Sequence, residues 1–215
     1  MVQRSALIAG ASGLVGSELL TYLLESNEYH SVTAIVRKSL HIKHPKLKQV
    51  IVDFEQLNKD EQIFKVDDVF CCLGTTIKKA KTQETMTRID VEYPLQIAKL
   101  SNKMGARQFL VISAMQANPS SLTFYSRIKG RLEQELQNIG FETLHIFRPS
   151  LLIGDRKEFR FGEKTAEILF NALFFIFIGP LKKYRAIHAT TVAQGMLNAA
   201  KSRKKGVFIY LSDEI

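Results

Sequence analysis

Tyr125 and Lys129 stand four residues apart in the stretch FYSRIKGRLEQEL, residues 124 to 136. On a helix that spacing puts both side chains on one face, about 6 Å apart along the axis. A phenol and an ammonium held together suit one kind of work. Hydride transfer to a carbonyl builds negative charge on oxygen, and a tyrosine hydroxyl can give a proton there. A free phenol titrates near pH ~10, so a neighbouring cation is needed to bring that proton into play. The same two residue types also decorate the wet face of ordinary amphipathic helices. The pair therefore takes its meaning from what the rest of the chain places around it.

Short apolar runs rich in β-branched residues alternate with longer helical patterns. The strands are predicted at residues 6–9, 32–36, 49–52, 66–73, 108–112, 143–147 and 207–211. Helices are predicted at 14–25, 82–104 and 191–200, with the Tyr125 helix between the fifth and sixth strands. Continuous apolar strands indicate burial on both faces, and alternation with helices indicates a doubly wound α/β sheet. The mostly parallel sheet should have about seven strands flanked by helices. No repeat, low-complexity tract or linker divides the chain, so one domain is expected over residues 1–215, with a small substrate-side part at 153–190.

The first loop carries the strongest motif. LIAGASGLVGSELL places Gly10, Gly13 and Gly16 between the first strand and the first helix. A pyrophosphate at a helix N-terminus needs backbone N–H groups and an unobstructed approach. Gly10 serves the tight turn, Gly13 the approach and Gly16 the packing of helix on strand. Ser12 offers a hydroxyl, and Leu14 and Val15 open the helix whose N–H groups face the anion. Past the second strand come Arg37 and Lys38, where an acidic residue would grip an NAD ribose. Two cations there suit a 2′-phosphate, so NADP(H) is the expected cofactor and NAD(H) the alternative.

Net charge is +9, with 30 Lys and Arg against 21 Asp and Glu. That balance permits an anionic partner and selects none. No nucleic-acid reader motif accompanies it, so direct nucleic-acid binding is not expected. The two cysteines are the neighbours Cys71 and Cys72, on a predicted strand that points them to opposite faces. That excludes a disulfide framework and suits a reducing cytoplasm. Residues 1–4 lead straight into a strand, with no signal-peptide pattern. The apolar run at residues 168–178 is too short to span a bilayer and reads as a buried or interface helix, its Phe170, Phe174, Phe175 and Phe177 as core rather than the lining of a small apolar pocket or a subunit interface. Lys182, Lys183 and Arg185 follow it; a membrane-surface contact is the minor reading. His188 reads as a structural hydrogen-bonding residue. His41 and His44 lack acidic or cysteine partners at ligand spacing, so no metal site is expected.

Five ordered segments give a resemblance. GASGLVGSELL, FCCLGTTIKKA from Phe70, RIDVEYPLQIAKLSNKMGARQFLVISA from Arg88, YSRIKGRLE from Tyr125 and FRPSLLIGDR from Phe147 cover nearly the whole chain. Together they resemble an atypical short-chain dehydrogenase/reductase, and within it the Tat-interacting-protein-like oxidoreductase group. The resemblance implies a single NAD(P)-binding Rossmann domain. It implies that Tyr125 and Lys129 are the tyrosine and lysine of a Y-x-x-x-K motif, that Lys129 also holds the nicotinamide ribose, and that Ser113 meets the substrate oxygen. It places Asp53 and Phe54 near the adenine, Cys72, Leu73, Gly74 and Thr75 along the adenosine ribose, and Pro149 to Leu152 beside the nicotinamide.

The chain departs from the superfamily pattern at Asp90, where an asparagine is common. Arg127, Arg131, Glu133 and Glu135 read as charges on the solvated face of the Tyr125 helix. About sixty residues follow Leu152, which disfavours an extended nucleotide-sugar substrate. The expected function is NADP(H)-dependent hydride transfer to a small carbonyl or quinone-like substrate. The alternative is a non-enzymatic NADP(H)-binding redox sensor acting through a protein partner. A protein partner or a homodimer is the macromolecular contact expected.

Overall fold

In a computed structural model of the chain, residues 4–154 and 184–215 are described. The apolar run at 168–178, Lys182, Lys183 and most of the expected substrate-side part lie outside them. The core is a parallel sheet of β1 (Arg4–Ala9), β2 (Tyr29–Val36), β3 (Leu47–Ile51), β4 (Asp68–Cys71), β5 (Gln108–Ile112), β6 (Thr143–Arg148) and β9 (Gly206–Leu211). Two short strands, β7 (Leu152–Ile153) and β8 (Ile187–His188), pair separately. The spatial order is β3-β2-β1-β4-β5-β6-β9. The direction of winding reverses between β1 and β4, which opens a crevice beyond their C-terminal ends.

Side chains alternate across the sheet, so each strand feeds two cores. Leu7, Val69, Cys71, Phe109 and Ile146 pack under α4 (Tyr93–Lys103) and α5 (Phe124–Gln137). Ile8, Phe70, Leu110 and Phe147 pack under α1 (Leu14–Glu25) and the last helix, α6 (Ala189–Ser202). Each fully buried side chain of this size contributes about 1.5–3 kcal/mol. The same alternation sends Cys71 to the first core and Cys72 to the second, as expected of neighbours on a strand. Both thiols are free, and burial pushes the Cys71 thiol up to about 11.

At the N-terminal edge of the sheet the strands are tied by a polar cluster. Asp68 meets Arg4 Nη1 at 2.7 Å, the Tyr29 hydroxyl at 2.7 Å and Gln108 Nε2 at 3.1 Å. Burial pushes the Asp68 carboxyl up to about 6 despite the Arg4 cation beside it.

The expected helix over 82–104 is not uniform. After the short α2 (Ile77–Ala80), α3 (Gln83–Thr87) passes into a π-helical turn, Arg88–Glu92, before α4 resumes with Pro94 in its first turn. One extra residue in a turn rotates the side chains that follow, and such turns are frequent at functional sites. Here the turn aims Asp90 inward, and it is fully buried. His188, expected to bond through its ring, is exposed and caps α6 without a side-chain cap hydrogen bond.

Candidate active site

Gly10, Arg37, Asp53, Cys72, Ser113 and Pro149 each follow the C-terminal end of a parallel strand, so the topology gathers them on one edge. The glycine loop is built tightly. Gly10 has φ +84°, and a Cβ there would lie 2.5 Å from the Cys72 carbonyl oxygen. A Cβ on Gly16 would stand 2.1 Å from the Gly10 carbonyl oxygen, so α1 starts in contact with the loop. Gly13 caps α1 without a side chain, and no acidic residue stands in the first turn. Ser12 and Gly13 are exposed, Leu14 is half-buried and Val15 is buried. A pyrophosphate fits such a loop: the helix N–H groups lack a side-chain cap, no carboxylate of the first turn repels an anion, and the backbone surface is bare.

Arg37 and Lys38 are exposed at the end of β2, with no ion-pair partner among the described residues. Asp53 is exposed and accepts from Glu55 N at 3.0 Å. Phe54 is buried, with its ring 5.4 Å from that of Tyr93. Of this expected adenine pair, only Asp53 is open to solvent. The Cys72–Thr75 loop hangs beside β1, with Cys72 N donating to Ala9 O at 2.8 Å. Across from α1, a Cβ on Gly154 would come within 2.9 Å of Leu14 Cδ1. The segment from Pro149 through Leu152 therefore leads back toward the glycine loop.

Tyr125 and Lys129 occupy one side of α5, but differ in environment. Tyr125 is 41% exposed, whereas Lys129 is 2% exposed. Lys129 Nζ lies 5.9 Å from the centre of the Tyr125 ring and 2.8 Å from Asp90 Oδ1. Burial lowers the ammonium of Lys129, but the Asp90 carboxylate, together with Tyr125 and Cys71, more than offsets it and holds the group above the ordinary lysine range. Asp90 Oδ2 accepts from Thr75 N at 2.9 Å, so the loop after β4 is tied to the same carboxylate. α5 is seated closely as well, since a Cβ on Gly130 would collide with the backbone of Pro119.

Ser113 is 4% exposed and directs its hydroxyl to Glu133. Glu133 is also held by Arg148, whose Nε lies 3.0 and 3.1 Å from the two carboxylate oxygens. The expectation that Glu133 lies on the solvated face is corrected: it is 3% exposed. Arg131 and Glu135 do pair on that face, at 2.6 Å. A serine has one proton to give, so Ser113 reaches a substrate oxygen as a donor only by turning away from Glu133. Glu133 and Arg148 are the site-forming residues that sequence reasoning missed. The available signal was spacing, because Glu133 continues the line from Tyr125 through Lys129 at one further step of four.

Among the described residues no group of three or more His, Cys, Asp or Glu is arranged to hold a metal ion.

A doubly wound sheet with a glycine loop at its switch point is the architecture of dinucleotide-binding proteins. The NAD(P)H-binding family pattern matches residues 10–168, and the chain belongs to that family. It is similar to Protein HTATIP2 of Rattus norvegicus, 35% identical over 210 residues that cover 96% of this chain and 85% of the relative. It is also similar to Protein FMP52, mitochondrial, of Candida albicans, at 31% identity over 78% of this chain and 76% of the relative. Among solved structures, MoeE5 in complex with UDP-glucuronic acid and NAD superposes with a TM-score of 0.74 at 18% identity, over 95% of this chain and 75% of that one. WbmH of Bordetella bronchiseptica in complex with NAD+ superposes at 0.73 and 17% identity, over 98% and 76%. These two share the fold.

Proposed function

We propose that the chain is an NADP(H)-dependent oxidoreductase acting on a small carbonyl or quinone-like substrate. One observation carries the reading: an exposed tyrosine sits over a buried, charged lysine on the edge of the sheet that holds the glycine loop. The bound cofactor would supply or accept the hydride. Gly10, Ser12, Gly13, Leu14, Val15 and Gly16 hold its pyrophosphate, and Lys129 steadies a ribose. Asp53, backed by the buried Phe54, and the Cys72–Thr75 loop line the adenosine side. Pro149 and Leu152 border the nicotinamide side. Tyr125 gives its proton to the carbonyl oxygen, Lys129 stabilises the phenolate left behind, and Ser113 turns its hydroxyl to the same oxygen. Leu122 and Leu151 are exposed near this edge and suit an apolar substrate.

Arg37 and Lys38 would pair with a 2′-phosphate. Replacing both by Ala should raise the NADPH dissociation constant by about 10–100-fold, the loss of one or two charge-assisted bonds. NADH binding should hold within about twofold, since it lacks the phosphate those bonds need. Fluorescence titration of both cofactors measures this; equal losses for both would remove the NADP(H) preference.

The engagement of Ser113 by Glu133 favours a second reading, a redox sensor that binds NADP(H) and acts through a protein partner or a second copy of the chain. In that case Tyr125→Phe leaves partner binding intact, while Gly13→Asp abolishes it together with cofactor binding. Among the described residues no helix is long and apolar enough to cross a membrane. Two free thiols suit a reducing compartment, and the cytoplasm is our assignment. Cell fractionation decides between it and the mitochondrion in the names of the FMP52 relatives.

A further inference from the structure

One carboxylate joins two parts of the site that the dehydrogenase reading treats separately. Asp90 is fully buried on the π-helical turn, with Oδ1 against Lys129 Nζ at 2.8 Å and Oδ2 on Thr75 N at 2.9 Å. Gly74 passes close beside it: a Cβ there would stand 3.7 Å from Oδ1. Resting on that reading, we infer that Asp90 is a positioning residue, which fixes the charged end of Lys129 beside the Tyr125 ring and locks it to the loop at Gly74 and Thr75.

The chemistry of the carboxylate separates this role from simple support. An asparagine would accept from Thr75 N equally well. Only a carboxylate also neutralises the lysine. The ionisable groups facing Lys129 are Asp90 from the π-helical turn, Tyr125 from its own helix and Cys71 from β4. The Cys71 thiol stays protonated at neutral pH because burial pushes it up to about 11. Asp90 therefore supplies the counter-charge, and without it the cost of keeping an ammonium away from water acts alone. Asp90 sits within the π-helical turn, between the loop after β4 and α5.

Asp90→Asn tests the inference. The protein is labelled at the lysine ε-carbon and titrated by NMR with and without NADP+, and Lys129→Met identifies the signal. In Asp90→Asn the Lys129 signal should titrate at least about 2 pH units below its position in the parent. Unchanged titration of Lys129 overturns the inference. If Asp90→Asn fails to fold, the double variant Asp90→Asn, Lys129→Met removes both charges and should recover folding; no recovery also overturns it. The dehydrogenase reading fails by different signs, namely no NADPH binding in the parent, or full turnover in Tyr125→Phe, while the difference in Lys129 titration persists.

Discussion

Glu133→Ala is expected to destabilise the protein by about 3 kcal/mol and to lower its melting temperature by about 10 °C. The substitution strips the Arg148 guanidinium of its carboxylate and leaves the Ser113 hydroxyl without its acceptor. Breaking a buried ion pair from one side is costly because the remaining charge stays out of water. Arg148 is 24% exposed, so water recovers part of that cost and the effect falls toward the lower end of the usual range. Glu135→Ala is the matched control on the same helix. Its partner Arg131 is 55% exposed, and exposed pairs contribute about 0.2–1 kcal/mol. Thermal melts of the two variants side by side decide the matter. Equal losses would mean that Glu133 behaves as a solvated charge.

Tyr125→Phe is expected to cut turnover by about 10²–10⁴-fold, the usual contribution of a positioned proton donor. Only the hydroxyl is removed, and the residue is 41% exposed, so folding should be untouched. NADPH affinity should change by less than about tenfold, since at most one hydrogen bond to the nicotinamide edge, worth about 0.5–1.5 kcal/mol, is lost. Single-turnover measurements with a carbonyl panel separate the chemical step from binding. A loss in cofactor affinity with the chemical step intact would assign Tyr125 to the cofactor pocket instead. Full activity would remove it from the mechanism and favour the sensor.

The fold was legible because its signals are local and periodic. Apolar runs bounded by turn residues located all seven strands of the sheet, and Gln108–Ile112 is reproduced to the residue. The fourth strand is shorter than its apolar run, since Val66 and Asp67 lead into it and Cys72 and Leu73 already belong to the loop. The glycine loop was legible for the same reason: its requirements are set by neighbours in sequence. Glu133 was not. On α5 it lies among Arg127, Arg131 and Glu135, and only its step of four from Lys129 sets it apart from them. Its burial comes from Arg148 on β6 and Ser113 after β5, which only the sheet brings beneath the helix. Asp90 was legible as a departure in residue type, but its grip on Lys129 depends on a π-helical turn that a periodicity of 3.6 cannot reveal. Phe54 shows the opposite limit. The resemblance placed it near an adenine, whereas its ring lies buried against that of Tyr93.

The central claim is that one bound NADP(H) connects the glycine loop to Tyr125. A crystal structure with NADPH bound tests it most directly. The account predicts pyrophosphate on the loop from Gly10 to Gly16 and the 2′-phosphate at Arg37 and Lys38. It also predicts the nicotinamide edge within hydrogen-bond reach of the Tyr125 hydroxyl. A protein that binds neither NADPH nor NADH, or a cofactor whose nicotinamide lies away from Tyr125, would contradict it.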